Sequence, residues 1–158
     1  MDTLLPLAAR VAELLKSRKQ TIAVAESCTG GLLSALLTEK AGASGYFLGG
    51  VVAYHNRIKR SLLGVPNEVL RKYGAVSSQT AVLMAGGVRK KFKSHIGISI
   101  TGIAGPSGGT KEKPVGLVYI AVANSKGVRC KKFIFSGTRS GIRLRAAKAA
   151  AQYLHAAP

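Results

Sequence analysis

Short apolar runs alternate with amphipathic segments along the first hundred residues of the chain. Residues 21–25 form an uncharged run rich in β-branched side chains, which predicts a buried strand. Residues 3–17 instead place apolar side chains on a helical period with Arg10, Glu13 and Lys16 opposite, which predicts an amphipathic helix covering one face of a sheet. Residues 32–37 carry helix formers on the same period, so a second helix is expected soon after the first strand.

The remaining pattern predicts further strands and helices and, from them, a fold class. The expected strands cover residues 46–54, 95–101, 115–123 and 128–135, and the expected helices cover residues 56–63, 66–73, 78–92 and 139–154. Gly49 and Gly50 indicate a bulge or a close backbone approach, and Asn56 and Ser77 are predicted N-caps. The last two strands, joined by residues 124–127, should form an antiparallel hairpin. Strands and helices alternate in the first part of the chain, and a hairpin follows. This order predicts an α/β fold, a three-layer α/β/α sandwich on a mixed sheet of about five strands.

Length and apolar content set limits on domain organisation and location. At 158 residues with 47% apolar content, the chain is expected to form a single domain over residues 1–158. No window approaches the roughly 18 uncharged apolar residues of a spanning helix, so a cytoplasmic protein without a membrane partner is expected. Cys28 and Cys130 lack the spacing of a disulfide framework or a zinc site, and both are expected to be reduced.

The charge balance is strongly basic. The chain has 24 Lys plus Arg against 6 Asp plus Glu, a formal net charge of +18, which should attract polyanions and small anionic molecules. The basic residues are spread along the chain, and five Tyr, four Phe and no Trp do not supply the aromatic interleaving of a single-strand binder. Solvated cationic faces are therefore the favoured interpretation, with non-specific polyanion binding as a side effect.

The turn at residues 25–31, between the first strand and the second helix, holds the first candidate chemistry. Ser27 and Cys28 are candidate nucleophiles beside a helix start, where unpaired backbone N–H groups are expected to stabilise an anion or a developing oxyanion. The alternative is that Ser27 and Thr29 only cap the helix while the two glycines permit close packing. Both interpretations are open on the pattern alone.

A nucleophile needs a base, and the histidines are poor candidates for this role. The three histidines are His55, His95 and His155. His95 should begin a strand and His155 lies almost at the terminus. His55 is a lone histidine, which is more often a surface residue. Lys59 is the alternative, because flanking positive charge from Arg57 and Arg60 together with partial burial would lower its pKa. A neutral Lys59 amine would then take the proton from Ser27. Ligands gather at the carboxyl ends of strands in open α/β sheets, where the loop at residues 101–114 is also expected.

Four motifs, in the right order over nearly the whole chain, resemble the C-terminal domain family of CinA. They are ESCTGG at 26–31, YHN at 54–56 with Lys59, GAVS at 74–77, and TGIAGP at 101–106 continuing through GGT at 108–110 to KPVG at 113–116. Members are bacterial nicotinamide-nucleotide amidases, also called NMN deamidases, and related competence-damage-inducible proteins. The resemblance implies hydrolysis of the carboxamide of nicotinamide mononucleotide to nicotinate mononucleotide and ammonia, with no metal and no other cofactor.

The resemblance also implies roles for individual residues. Ser27 would be the nucleophile, Lys59 its base, and Tyr54 a third catalytic residue lining the site. The implied substrate-binding residues are Thr29, Gly30, Gly31, Asn56, Thr101, Gly102, Gly105, Gly108, Gly109 and Thr110. Oxyanion donors would lie on the Ser27 turn and at Gly102. The loop at 105–110 would hold the ribose phosphate by backbone N–H groups, with added charge from Lys113 or Arg139.

Two departures and two alternatives accompany this interpretation. Thr138 stands where family members often carry an acidic residue, and the additional N-terminal domain of long CinA proteins is not expected in this chain. Within the enzyme class, Cys28 is the alternative nucleophile. The alternative class is a non-catalytic nucleotide- or DNA-binding competence accessory module, which the positive charge favours. The expected assembly is a homodimer.

Overall fold

Five strands, six α-helices and a short 3₁₀ helix (Ala43–Gly45) form the described part of the chain, which in this computed structural model is residues 4–156. The strands are β1 (Ile22–Glu26), β2 (Phe47–Val52), β3 (Ile96–Gly102), β4 (Leu117–Asn124) and β5 (Gly127–Ile134). The helices are α1 (Leu5–Ser17), α2 (Leu32–Thr38), α3 (Asn56–Leu63), α4 (Asn67–Tyr73), α5 (Ser78–Phe92) and α6 (Arg139–His155). These bounds confirm the predicted elements to within one or two residues at each end. Thr3, the first residue of the first predicted helix, lies outside the described residues.

The strands form one mixed sheet in the order β2-β1-β3-β4-β5. β1 is parallel to both of its neighbours, β2 and β3, whereas β3–β4 and β4–β5 are antiparallel. Every residue of β1 is buried, because this strand has a partner on each side and helices above and below. The predicted mixed sheet of five strands is therefore confirmed.

Alternation along the strands separates two packing faces. Ile22 and Val24 point to the core that β1 shares with α1, α2 and α6, whereas Ala23 and Ala25 point to the core shared with α3, α4 and α5. The small alanine side chains on the second face let α5 lie close to the middle of the sheet. Helices thus cover both faces, and the three-layer α/β/α arrangement is confirmed.

Gly49 lies at an irregularity in β2, as its sequence position predicts. Ile22 pairs with Phe47 while the next residue, Ala23, pairs with Gly49, so the register shifts by one at Leu48. Gly49 has a φ of +147°, and a Cβ at this position would lie 2.7 Å from the Phe92 ring. Both the bulge and the close approach are therefore present.

The two predicted N-caps have different outcomes. Ser77 caps α5, since its hydroxyl accepts a hydrogen bond from the Thr80 N–H at 3.1 Å. The prediction for Asn56 is wrong, because His55 is the N-cap of α3 and its Nδ1 accepts from the Arg57 N–H at 3.0 Å. The imidazole acceptor performs the capping function normally given to Asn or Ser.

Two further findings bear on the expectations from composition. Cys28 is buried, Cys130 is partly buried, and both are free thiols. No helix within residues 4–156 combines the length and apolar character needed to cross a membrane.

Candidate active site

The carboxyl ends of β1, β2 and β3 lie at one edge of the sheet because these three strands are parallel. The loops that follow them enclose a cavity of about 190 Å³. Its lining consists of Ser27, Cys28, Tyr54, Lys59, Ala75, Val76, Thr101, Gly102, Ala104 and Arg139. The three predicted catalytic residues therefore line one cavity, at the position where open α/β sheets bind ligands.

Ser27 and Lys59 are in hydrogen-bond contact inside this cavity. Lys59 Nζ lies 3.1 Å from Ser27 Oγ, although the two residues are 32 positions apart in sequence. Ser27 directly follows β1, and its N–H donates to the Ile100 carbonyl at 2.9 Å, which ties the serine to β3. Lys59 belongs to the first turn of α3 and is 1% exposed. A potential nucleophile and a potential base are thus held together out of solvent.

Two backbone carbonyls complete the surroundings of the Lys59 amine. Nζ donates to the Ala53 carbonyl at 2.7 Å and to the Tyr54 carbonyl at 3.3 Å. The three donors of the ammonium form match these two carbonyls and the Ser27 oxygen. A neutral amine has two N–H groups and one lone pair, and carbonyls can only accept. The neutral form therefore gives its N–H groups to the carbonyls and its lone pair to Ser27, the one partner able to donate a proton.

Burial makes this neutral form accessible. The loss of solvation lowers the pKa of Lys59 to about 8, from the ordinary value of 10.5. Of the two predicted causes, burial is confirmed and flanking positive charge is wrong, because Arg57 and Arg60 are exposed and do not contribute to the lowering of the pKa. A substantial fraction of Lys59 is consequently neutral a little above physiological pH.

Glu26 caps the N-terminus of α2. Ser27 and Thr29, the residues considered as caps of this helix, do not do so. The Glu26 carboxylate, 1% exposed, accepts from the N–H groups of Gly31, Leu33 and Ser34 at 2.8 to 3.2 Å and from the Ser34 hydroxyl at 2.8 Å. The expectation of unpaired N–H groups at this helix start is therefore wrong. A buried acid that ends an apolar strand just before a helix was the available sequence signal, since carboxylates are favoured at helix N-termini.

We expect Glu26→Gln to lower the free energy of unfolding by about 2 to 4 kcal/mol. The amide NH2 would face backbone N–H groups and leave at least one of them unpaired inside the protein. The measurement is the urea unfolding midpoint, with Glu68→Gln as a matched control, because Glu68 is an exposed acid in the first turn of α4. Equal losses in the two variants would show that burial of the Glu26 carboxylate has no special importance.

The turn after Ser27 is held by the last helix. Arg143 Nε donates to the Cys28 carbonyl and Nη2 donates to the Thr29 carbonyl, both at 3.1 Å. Gly31, with a φ of +103°, lets the chain enter α2 in a conformation that L side chains disfavour. Apart from a contact with its own thiol, the Cys28 N–H makes no hydrogen bond with the described residues. A backbone donor on a cavity-lining residue is thus available for a ligand.

Two neighbouring side chains in this turn are buried. Burial raises the pKa of the Cys28 thiol to about 11, and the Glu26 carboxylate adds to this increase. The thiol is therefore protonated at neutral pH. The Thr29 hydroxyl is buried and has no hydrogen-bond partner among the described residues.

Arg139 links the other two loops of the cavity. At the start of α6, its Nη2 donates to the Tyr54 hydroxyl at 2.9 Å and its Nη1 donates to the Gly105 carbonyl at 2.7 Å. Thr138 is the N-cap of α6, accepting from the Gly141 N–H at 3.2 Å. Lys59 and Arg139 are the cationic residues of the described lining, which contains no Asp or Glu. The cavity is therefore suited to an anionic ligand.

The structure brings only part of the predicted substrate-binding set to the cavity. Thr101 and Gly102 line it, and the Thr101 hydroxyl donates to the Ala75 carbonyl at 2.8 Å. The predicted residues outside the lining are Thr29, Gly30, Gly31, Asn56, Gly105, Gly108, Gly109 and Thr110. Gly105 is next to it, through the carbonyl that binds Arg139.

Residues 108–110 of the glycine-rich loop and Lys113 lie outside the lining of the cavity. Residues 108–110 are exposed, and the Thr110 N–H donates to the Lys113 carbonyl at 2.7 Å within a local turn. Lys113 Nζ donates to the Tyr73 carbonyl at the end of α4 rather than entering the cavity. Of the two predicted basic residues, the structure places Arg139 in the lining.

Two features define the class of this protein. Its mixed sheet is open and carries helices on both faces, and a buried serine contacts a buried lysine beyond the ends of the parallel strands. It is an α/β domain with a serine–lysine site. The sequence matches the family model of the CinA C-terminal domain over residues 4–157, and the chain belongs to this family.

Two similar proteins agree with this assignment. The chain is 52% identical over 134 residues to a putative competence-damage inducible protein of Desulforudis audaxviator, covering 85% of this chain and 32% of that protein. It is 56% identical over 137 residues to a CinA-like protein of Cytophaga hutchinsonii, covering 86% and 33%. The chain thus spans about a third of the length of these relatives.

Solved structures show the same architecture. Competence/damage inducible protein CihA from Agrobacterium tumefaciens is similar with a TM-score of 0.93 and 40% identity, covering 96% of this chain and 93% of that one. A CinA superfamily protein from Escherichia coli has a TM-score of 0.93 at 29% identity, covering 98% and 90%.

Proposed function

We propose that this chain is an amidase that hydrolyses the carboxamide of nicotinamide mononucleotide to nicotinate mononucleotide and ammonia. The activity is the one implied by resemblance to CinA-type amidases. The observation that carries the proposal is the 3.1 Å contact between Ser27 Oγ and Lys59 Nζ, made by a lysine whose pKa burial lowers to about 8. A nucleophile next to a base of suitable pKa is the requirement for acyl transfer near neutral pH.

The reaction follows from the hydrogen bonds of Lys59. The neutral amine takes the Ser27 proton as Oγ attacks the carboxamide carbon, forming a tetrahedral intermediate. Collapse of this intermediate breaks the C–N bond, and the Lys59 ammonium returns the proton to the departing NH2 group, giving ammonia and an acylated Ser27. Lys59 then removes a proton from a water molecule that attacks the ester, forming a second tetrahedral intermediate. Its collapse breaks the acyl–Oγ bond while the Lys59 ammonium returns the proton to Oγ, which releases the acid and restores Ser27 and the neutral amine.

The Cys28 N–H is our proposed donor to the oxyanion. It belongs to the residue after the nucleophile, which supplies such a donor in other serine hydrolases, and its only contact among the described residues is with its own thiol. One well-placed donor contributes roughly 3 kcal/mol to transition-state stabilisation. The α2 N-terminus is not used in this way, since Glu26 occupies its N–H groups.

Two features support the choice of substrate and nucleophile. Arg139 in a lining without acids favours an anionic substrate such as a nucleotide, even when Lys59 is the neutral base. The Cys28 thiol, with its pKa raised to about 11, is a poor source of thiolate, which favours Ser27 over the alternative nucleophile.

The direct experiment is incubation of the purified chain with nicotinamide mononucleotide, with ammonia and nicotinate mononucleotide measured together. Equal amounts of both products are expected. Mass spectrometry of acid-quenched protein should locate an acyl group on the peptide containing Ser27. Nucleotide binding without ammonia release would instead support the alternative, a non-catalytic nucleotide-binding module. DNA binding that persists above roughly 200 mM salt would support its DNA-binding form.

We expect kcat to rise with pH and to reach a plateau above about pH 8, because catalysis requires neutral Lys59. Below this pH the rate should fall about tenfold for each pH unit, in proportion to the neutral fraction. The measurement is kcat at saturating nicotinamide mononucleotide between pH 6 and about pH 9. A rate independent of pH across this range would contradict a lysine base.

A further inference from the structure

The proposed oxyanion donor, the Cys28 N–H, belongs to a β-turn. The Gly30 N–H donates to the Ser27 carbonyl at 3.1 Å, so residues 27–30 form a turn with Cys28 and Thr29 at its centre. Because the peptide unit between Ser27 and Cys28 is planar and trans, its carbonyl and its N–H point in opposite directions. The geometry of this turn therefore sets the direction of the Cys28 N–H.

Arg143 binds the carbonyls of both central residues of this turn. Its Nε donates to the Cys28 carbonyl and its Nη2 donates to the Thr29 carbonyl, both at 3.1 Å. Among the described residues, the guanidinium is the sole hydrogen-bond partner of the Cys28 carbonyl. A guanidinium presents its N–H groups in a fixed plane, so it holds two consecutive carbonyls in one geometry. The turn is thus held by a residue of α6.

The packing around this contact gives the guanidinium space and a fixed position. Gly30 has a φ of +59°, and a Cβ at this position would lie 3.1 Å from Arg143 Nη2. Ile142 and Ala146, on either side of the arginine in α6, are buried in the same apolar cluster as the Cys28 side chain. These neighbours keep this part of α6 next to the turn.

Neither the stability of α6 nor contact with a substrate explains an arginine at position 143. Arg143 lies in the second turn of α6, near the positive end of the helix, where a cation gains nothing from the helix dipole. Arg139, one helical turn earlier, lines the cavity, whereas Arg143 is not part of the lining. The contacts of Arg143 with the turn therefore indicate its role.

We propose that Arg143 is a positioning residue, which holds the turn at residues 27–30 so that the Cys28 N–H points at the developing oxyanion. This inference rests on the proposed chemistry at Ser27. As Oγ attacks, the substrate carbonyl oxygen gains negative charge, and a donor stabilises this charge best when it is already directed at the oxygen. A displaced turn would weaken an interaction made in the transition state without changing substrate binding. Loss of kcat with little change in KM should follow.

The experiment compares Arg143→Lys and Arg143→Gln with the control Arg145→Lys. Arg145 is on the same helix, and its Nη1 donates to the Ser136 carbonyl at 2.6 Å, so the control also removes a guanidinium from a backbone carbonyl. The first assay measures kcat and KM with nicotinamide mononucleotide. The second follows p-nitrophenyl acetate, whose acetyl group is transferred to Ser27 Oγ as nitrophenolate leaves and Lys59 takes the serine proton. This second reaction needs no nucleotide binding.

We expect Arg143→Lys to lower kcat about 100-fold, and Arg143→Gln at least as much, with KM changed less than about threefold. Lysine keeps the charge but lacks the planar fork, so it does not hold both carbonyls. The rise of kcat with pH should remain centred near pH 8 in these variants, because burial of Lys59 is unchanged. Arg145→Lys should leave kcat unaltered. Circular dichroism and urea unfolding show whether each variant is folded.

The two assays separate this inference from the amidase proposal. Slower acetylation in the Arg143 variants, with no hydrolysis of nicotinamide mononucleotide by the unaltered protein, would reject the amidase and support the positioning role. Unchanged kcat in folded Arg143→Lys, an equal loss in Arg145→Lys, or a change in KM alone would overturn that role. Failure of both Arg143 variants to fold would also overturn it, since Arg143 would then serve the fold as a whole. Absence of both reactions in the unaltered protein would overturn both proposals.

Discussion

Ser27→Ala is expected to reduce ammonia release from nicotinamide mononucleotide by at least about 10³-fold. Among the described residues, Ser27 has the only hydroxyl in contact with Lys59 Nζ, and the alanine leaves no oxygen at this position to form the acyl ester. The side chain is small and lies at the end of β1, so the fold should persist. The measurement is kcat by a coupled ammonia assay, with circular dichroism to show that the variant is folded.

Two controls separate this prediction from its alternatives. Ser61→Ala changes an exposed serine of α3 and should leave kcat unchanged. Cys28→Ala should retain most of the activity, because the protonated thiol is not the proposed nucleophile. Full activity in Ser27→Ala, or loss of activity in Cys28→Ala, which keeps Ser27, would show that Ser27 is not the nucleophile.

Lys59→Met is expected to cause a loss of similar size, about 10³-fold or more, since Ser27 would have no base. Lys59→Arg should be almost as inactive, because a guanidinium keeps the positive charge but does not release its proton in this pH range. Lys40→Met, at an exposed lysine, is the control for loss of charge. Activity retained by Lys59→Arg would show that position 59 contributes charge and not proton transfer.

The same variant tests the burial of the amine without reference to activity. The pKa of Lys59 is about 8 in the folded protein and near 10.5 when the chain unfolds, so the unfolded state binds more protons between these values. Stability should therefore rise with pH across that window, by about 2 to 3 kcal/mol for this group. Other groups also titrate there, so the comparison is between the unaltered protein and Lys59→Met in urea. A pH dependence that is identical in both proteins would show that Lys59 is not buried as described.

Much of the fold was predictable because its signals are local. A run such as residues 21–25 predicts a buried strand from its own side chains, and the period of residues 78–92 predicts a helix from theirs. Ser77 and Gly49 were assigned correctly for the same reason, since a cap or a bulge depends on a few adjacent residues. Asn56 was assigned wrongly as a cap because a residue of less usual type, His55, occupies that position.

The candidate site was predictable only in part. The motifs indicated Ser27, Lys59 and Tyr54, and Arg139 was one of two candidates for added charge, but the contacts of Arg139 and Arg143 depend on where α6 lies against the sheet. The loop at residues 105–110 was expected, from the resemblance, to hold a phosphate. Residues 108–110 are exposed and lie outside the cavity lining, and a position of this kind depends on the path of the whole loop rather than on its glycines.

The sequence by itself determined the order and type of the elements, their mixed α/β pattern, and the identity of a serine, a lysine and a tyrosine as candidates. Only the tertiary structure decided that Lys59 meets Ser27, that Glu26 occupies the helix N-terminus, and that burial rather than neighbouring arginines lowers the lysine pKa. The physical reason is how far apart in the chain the residues that produce each property lie. Periodicity is a property of consecutive residues, whereas desolvation and hydrogen-bond geometry depend on every segment that surrounds a group once the chain has folded.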